Sequence, residues 1–397
     1  MIRDNWFRMR RISLSTRILW DFKNDERWNI FSYPSHTLEI CNISFGFAPP
    51  AAFTRDSREH FSNMLPAIRV LQIDNIFFHP GSSMTRLEHL TLSNRDIRND
   101  LFMALSSMTA LKSLHMQYFK ILDSVGSDAL LRDPQLQKVN IQNLMDLQVS
   151  TNSIQLLICV LNQLTPSPKR ALKCIVKPFN TSSVVPLAYL NSGIHDNLTN
   201  MLYGSDSLTL ALGRNKISIN VDLEYPADPR GPHFLFDLDL GGHAKTEFAS
   251  AILNNLLSCD LSSIRFIRLY FPTLDINSPS PEYEFMYRYL YKLFTESLGN
   301  VEMVILGYQA FHVLSLLQDI KTDVMSIFPS LQTILFEDGQ HVRTMTYVIK
   351  QFIDSRTNRT AIRVGKLGIP ATISGQWNIT LLDGFEGTVL DGKESEL

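Results

Sequence analysis

Apolar residues fall at i, i+3 and i+5 in three short stretches between Arg86 and Leu144. Leu87, Leu90 and Leu92 do so in LEHLTL, Leu111, Leu114 and Met116 in LKSLHM, and Leu136, Val139 and Ile141 in LQKVNI. The frames begin at 87, 111 and 136, so they lie 24 and 25 residues apart. The last two apolar places of each frame fit one face of a short strand, and the residue between them points the other way. Earlier copies occur at Leu38, Cys41 and Ile43 and at Ile68, Leu71 and Ile73. Apolar-periodic stretches such as SREHFSNML, DLFMALSSM and SDALL separate them, each long enough for one or two helical turns. Asp100 and Ser127 stand where N-caps of two such helices belong.

Between Asn152 and Tyr225 the period loosens. Ile154 to Leu164 reads as a longer helix and Leu172 to Val176 as a strand, with Lys177 in the third apolar place of the frame. SLTLAL (207–212), KISINVDLE (216–224) and HFLFDLDL (233–240) alternate like strands, and Gly213-Arg214-Asn215 supplies a hairpin turn between the first two. DLEYPADPRGPH reads as an exposed loop. Order then returns. Helices over Lys245–Cys259, Glu282–Leu298 and Phe311–Ile320 precede frames at Ile264-Ile267-Leu269, Val301-Val304-Leu306 and Leu331-Ile334-Phe336. Met345–Ser355 and Ala361–Leu367 form a last unit.

An L-x-x-L-x-L frame at this period is the signature of a leucine-rich repeat. The expected fold is α/β: an irregular leucine-rich-repeat solenoid with a curved parallel sheet on one side and helices on the other. Such repeats stack on their neighbours around one continuous core, so the chain's 397 residues do not translate into a domain count. The expected organisation is a lead-in over 1–30 and a solenoid over 31–385 with an irregular insertion at about 177–245. A polar tail over 386–397 follows.

Charge narrows the partners. Net charge is −2, from 37 basic and 39 acidic residues, so no broad positive field draws nucleic acid or an anionic membrane. Cys41, Cys159, Cys174 and Cys259 are scattered, as buried thiols in a reducing compartment would be. The N-terminus lacks the apolar core of a signal peptide, and no run of 18 apolar residues occurs; the expected location is cytoplasmic or nuclear.

Catalytic signatures are missing: there is no H-E-x-x-H, G-x-S-x-G, C-x-x-C or G-x-G-x-x-G. DLDLGGHAKTEF resembles a phosphate loop, but Ala244 replaces the glycine before Lys245 and Gly241 lies too close to that lysine. No catalytic, cofactor-binding or metal-binding residue is expected. The positive expectation is a protein target on the concave strand face. In the three good repeats the outward positions are His89, Thr91, Ser113, His115, Lys138 and Asn140. In the later repeats they are Phe266, Arg268, Met303, Ile305, Thr333 and Leu335, with Tyr270 continuing the alternation after Arg268. The candidates singled out for binding are His89, Thr91, His115, Lys138, Asn140, Phe266, Arg268 and Tyr270. Arg268 and Tyr270 come first, as residue types enriched at binding hot spots.

The first 30 residues add a resemblance. Arg10, Ile12, Leu14, Ser15, Thr16, Leu19 and Trp20 match the closing portion of the F-box in fungal F-box/leucine-rich-repeat proteins. In that family a Trp-Arg pair precedes Ile-Ala-Leu-Ser-Thr-Pro-x-Leu-Trp; here Met9, Ser13 and Arg17 depart from it. The resemblance implies the remnant of a C-terminal F-box helix over 1–30, with the adaptor-gripping helices belonging before residue 1. It further implies a substrate receptor of a Skp–cullin–F-box ubiquitin ligase, with a Skp-type adaptor as partner where an upstream F-box exists. The alternative is a repeat scaffold that has lost its F-box and has no ligase role.

Overall fold

The structure is a computed structural model. It describes residues 5–16, 30–31, 33–45, 65–75, 84–93, 99–119, 138–166, 171–177, 187–213, 216–221, 234–239, 245–271, 281–307, 310–320, 327–337, 339–354, 362–370 and 377–381. Two compact units divide the chain, Met1–Val185 and Pro186–Leu397.

Unit 1 is a ladder of parallel strands that pair in chain order. They are β1 (Arg11–Thr16), β2 (Ile40–Phe45), β3 (Val70–Asp74), β4 (His89–Ser93), β5 (Ser113–Phe119), β6 (Asp146–Thr151) and β7 (Ala171–Val176). The register stacks like on like. Ile12, Cys41, Leu71, Leu90, Leu114, Leu147 and Leu172 form one inward row, and Leu14, Ile43, Ile73, Leu92, Met116, Val149 and Cys174 form the next. All but Leu14 are buried. A fully buried Leu or Ile contributes roughly 1.5–3 kcal/mol, so a one-residue slip of any rung would forfeit several such terms at once. Helix α1 (Asn99–Ser106) buries Leu101, Phe102 and Leu105, and α2 (Ile154–Gln163) packs against β6 and β7. The Ser153 hydroxyl caps α2 by accepting from the Leu156 amide. Helix α1 begins at Asn99, so Asp100 lies inside its first turn rather than ahead of it; Ser127 lies outside the described residues.

Two sequence expectations change here. LQKVNI is not a rung: Val139 makes an isolated bridge to Leu164, and the strand beside β5 is β6. The frame Leu144, Leu147 and Val149 has the same i, i+3, i+5 spacing and is the one buried in the ladder. It leads straight into capped α2, whereas constant spacing favours the earlier frame. The second change concerns Arg11–Thr16, which is strand rather than helix. Met9, Ile12 and Leu14 themselves carry the repeat frame, and Ile12 is buried as an inward rung residue. A short 3-10 turn at Trp6–Arg8 precedes β1. Trp6 is buried there, edge-on to Phe31 at 5.3 Å, with its indole N–H donating to the Tyr33 carbonyl.

The residue just before each of the first rungs alternates in charge: Arg10, Glu39, Arg69, Glu88 and Lys112. Backbone hydrogen bonds join each of them to the next. Glu88 sits between its neighbours and accepts from Arg69 Nε and Lys112 Nζ, each at 2.7 Å. These hydrogen bonds, Lys112 first and then Arg69, hold its carboxyl down at about 2 against an ordinary 4.5. Because the folded value is the depressed one, this stabilisation is present above about pH 4.5 and is lost as the pH falls toward 2. Urea midpoints of wild type and Glu88→Gln across that range are expected to converge at the acid end and separate above it.

In unit 2, β8 (Ser207–Leu212), β9 (Lys216–Val221) and β10 (Phe234–Asp239) make an antiparallel meander. Strand β8 also pairs in parallel with β11 (Phe266–Tyr270), and β12 (Met303–Leu306), β13 (Thr333–Phe336) and β14 (Arg363–Pro370) follow in parallel. Strand β15 (Trp377–Leu381) turns back antiparallel to β14. The expected hairpin is present: the Gly213 amide donates to the Lys216 carbonyl at 2.7 Å. Helices α3 (Leu187–Leu202), α4 (Lys245–Ser258) and α5 (Pro281–Lys292) pack side by side. Beyond them come α6 (Ala310–Ile320) and α7 (Gly339–Asp354). Phe311 on α6 meets both Phe336 on β13 and Phe352 on α7, each with rings 5.6 Å apart, tying these helices to the inward side of the strands. Both units therefore have leucine-rich-repeat architecture: parallel strands hand their apolar rows to a helical layer. The 386–397 tail lies outside the described residues, as do Gly241–Ala244 of the phosphate-loop lookalike.

All four cysteines are free and buried. Burial pushes the Cys41 thiol up to about 12 and Cys159 to about 11, and raises Cys174 and Cys259 as well, so these thiols are inert packing groups.

Candidate recognition face

Strand alternation sets the outward side chains of unit 1. The row Ser13, Asn42, Gln72, Thr91, His115, Gln148 and Lys173 is polar on all seven strands, at a spacing of about 4.8 Å. The row N-terminal to it reads Arg11, Ile40, Val70, His89, Ser113, Asp146 and Ala171. His89 and Thr91 stand beside Ser113 and His115, so the two histidines are diagonal neighbours on one face. Lys138 and Asn140 flank the Val139 bridge and are exposed, but they are not on the ladder; Asp146 and Gln148 occupy the places assigned to them.

Those two residues create the most structured part of the face. Asp146 Oδ2 lies 2.6 Å from His115 Nε2, accepts from the Ser113 hydroxyl at 3.1 Å, and has the Gln148 amide at 3.3 Å. Burial works to raise the Asp146 carboxyl; the donors His115, Ser113 and Gln148 outweigh it, and the group is held below its ordinary value. An ionised carboxylate requires a proton on His115 Nε2. Serine, histidine and aspartate thus meet, but not as a nucleophile relay. Nε2 faces both Ser113, at 3.0 Å, and Asp146, and the serine proton is itself given to Asp146. A relay needs one ring nitrogen unprotonated toward serine and the other donating to the acid. The group is built to hold a carboxylate, not to activate a hydroxyl.

At the end of β5 the pairing with β6 slips between Gln117 and Phe119. Tyr118 sits at this irregularity with φ 53 and is 59% exposed. A bulky residue in left-handed conformation at a strand irregularity is uncommon, and such irregularities re-aim side chains beside binding sites. Nothing in the hydrophobic pattern announces it.

In unit 2 the corresponding face is different. Phe266, Arg268 and Tyr270 alternate outward on β11, each partly buried. Tyr270 donates its hydroxyl to Glu337, and Arg268 Nε lies 3.5 Å from the same carboxylate. Burial, then the Glu337 contact, raises the Tyr270 phenol well above its ordinary value. Both first-choice residues are therefore engaged within the unit. Gly307 makes room for this: a Cβ there would come within 2.9 Å of Tyr270 Cδ1. Gly307→Ala is expected to displace the Tyr270 ring and lower the melting temperature, at a cost of about 1–3 kcal/mol. Ile305 and Leu335, expected outward and open, are only 5% and 1% exposed and pack together with Met303. MVIL is an unbroken apolar run and TILF is apolar after Thr333, the signal of strands covered on both faces.

No protein-family model matches the chain, and no curated protein does. Among solved structures, an internalin from Listeria monocytogenes aligns over 87% of this chain and 86% of its own, with 12% identity and a TM-score of 0.28. At that score the likeness carries no weight here. The repeat architecture rests on strand order and register. Among the described residues no helix is long and apolar enough to cross a membrane, and no group of three or more His, Cys, Asp or Glu side chains is placed to hold a metal ion.

Proposed function

We propose that the outward strand face of unit 1 recognises a protein target. The observation that carries this is the unbroken polar row from Ser13 to Lys173, in which His115 is held by Asp146 of the adjacent row, with exposed Tyr118 near the end of β5. A parallel ladder gives such a surface fixed spacing and little motion, which lowers the entropic cost of binding an extended partner. Thr91→Arg and Gln72→Arg place bulk and charge on that row. Proteins cross-linked in cells by wild type and by Lys138→Ala, but lost from both arginine variants, are the expected result. Identical capture by all four chains would refute the reading.

What the recognised target is delivered to divides two further readings. The resemblance at Arg10, Ile12, Leu14, Ser15, Thr16, Leu19 and Trp20 supports a substrate receptor of a Skp–cullin–F-box ligase, with residues 1–30 as lead-in and 31–385 as repeat body. The pairing of β1 with β2 favours a scaffold without ligase role, because it makes Arg11–Thr16 a rung rather than a leftover of another domain. Co-purification of the full gene product with a Skp-type adaptor decides between them. An adaptor that never associates leaves the scaffold.

A further inference from the structure

The partner chemistry of the unit 1 face follows from how Asp146 is held. We propose that this face takes a lysine-bearing segment of its partner, with the ammonium seated on Asp146 Oδ1. The inference rests on the reading of the face as a recognition surface and names what it selects.

The two carboxylate oxygens of Asp146 are unequal. Oδ2 is filled by His115, Ser113 and Gln148 at 2.6, 3.1 and 3.3 Å. Oδ1 has, among the described residues, only the Gln148 amide at 3.5 Å, the outer limit of a hydrogen bond. A third of the Asp146 side chain is exposed. The charge is therefore kept by three donors on one side and offered on the other. None of those donors is a lysine or an arginine. The outward residues of β2 to β6 include no Lys or Arg at all. The nearest rung cations lie off this seat: Lys112 is bound to Glu88, and Lys173 on β7 is exposed with no ion pair to Asp146 among the described contacts.

Cation type follows from the same asymmetry. A guanidinium binds carboxylate best as a fork, with both oxygens accepting in parallel, and Oδ2 has no capacity left for that. An ammonium is a compact point charge that needs one open oxygen and neutral acceptors nearby. Gln148, whose amide nitrogen lies 3.5 Å from Oδ1, carries a side-chain carbonyl of that kind.

Fluorescein-labelled seven-residue peptides in which glycine alternates with lysine, arginine or glutamate test this, titrated with the full chain and read by fluorescence anisotropy. The lysine peptide is expected to bind, the arginine peptide no more tightly, and the glutamate peptide not at all. Asp146→Asn should weaken lysine-peptide binding about tenfold or more. Gln148→Lys, which supplies an ammonium from within the strand, should abolish it while leaving the fold intact, and Lys173→Ala should strengthen it. Lysine-peptide binding that is absent, unchanged in Asp146→Asn, or several-fold weaker than arginine-peptide binding overturns the proposal. Where that happens and Thr91→Arg and Gln72→Arg still strip the cellular cross-links, the recognition face stands and only the lysine seat falls.

Discussion

Trp6→Ala is expected to destabilise unit 1 by about 3–5 kcal/mol, the range for removing a buried large aromatic. The loss has three parts. A side chain that is 1% exposed leaves a cavity, the edge-on contact with Phe31 disappears, and the Tyr33 carbonyl loses the indole donor. Phe7 next to it is 62% exposed, so Phe7→Ala should stay within about 0.5 kcal/mol of wild type. Urea unfolding followed by far-ultraviolet circular dichroism gives both values. An unchanged midpoint for Trp6→Ala would mean that residues 6–16 are an appendage and not the start of the ladder.

Leu147→Ala should cost about 2–5 kcal/mol. Leu147 lies between Leu114 and Leu172 in the inward row and is 1% exposed, so its removal opens a hole that three rungs share. Lys138→Ala, in the stretch that constant spacing would have put in the ladder, should be nearly neutral. An unchanged urea midpoint for Leu147→Ala would take the Leu144–Val149 frame out of the ladder.

The frames that were legible are those where apolar spacing and local chemistry agree. Leu38-Cys41-Ile43, Leu87-Leu90-Leu92 and Ile264-Ile267-Leu269 all end buried in the rows their spacing predicts. What failed did so for identifiable reasons. Two frames in succession, at Leu136 and Leu144, cannot be ranked by period when the segments between strands vary in length. The likeness of residues 10–20 to a helical portion of another family outweighed a frame through Met9, Ile12 and Leu14 that was present in the letters. Alternation alone sends Ile305 and Leu335 outward, although MVIL is apolar throughout and TILF is apolar after Thr333. The partners of the face were the hardest. Asp146 is 31 residues from His115, and Glu337 is 67 from Tyr270, separations that carry no local pattern. Gly307 shows its purpose only once the Tyr270 ring lies over it.

Alternating charge ahead of the rungs has a consequence for how such an array can grow. Arg10, Glu39, Arg69, Glu88 and Lys112 alternate in sign on successive backbone-paired rungs, and ion pairs join Arg69, Glu88 and Lys112. Duplicating a single rung would set two like charges side by side and break the sequence of attraction. Duplicating two adjacent rungs together would keep it. Lengthening in pairs is thus the electrostatically quiet route, and a variant carrying one copied rung should be restored by a compensating charge reversal at that position, with a gain that shrinks as salt screens these exposed charges.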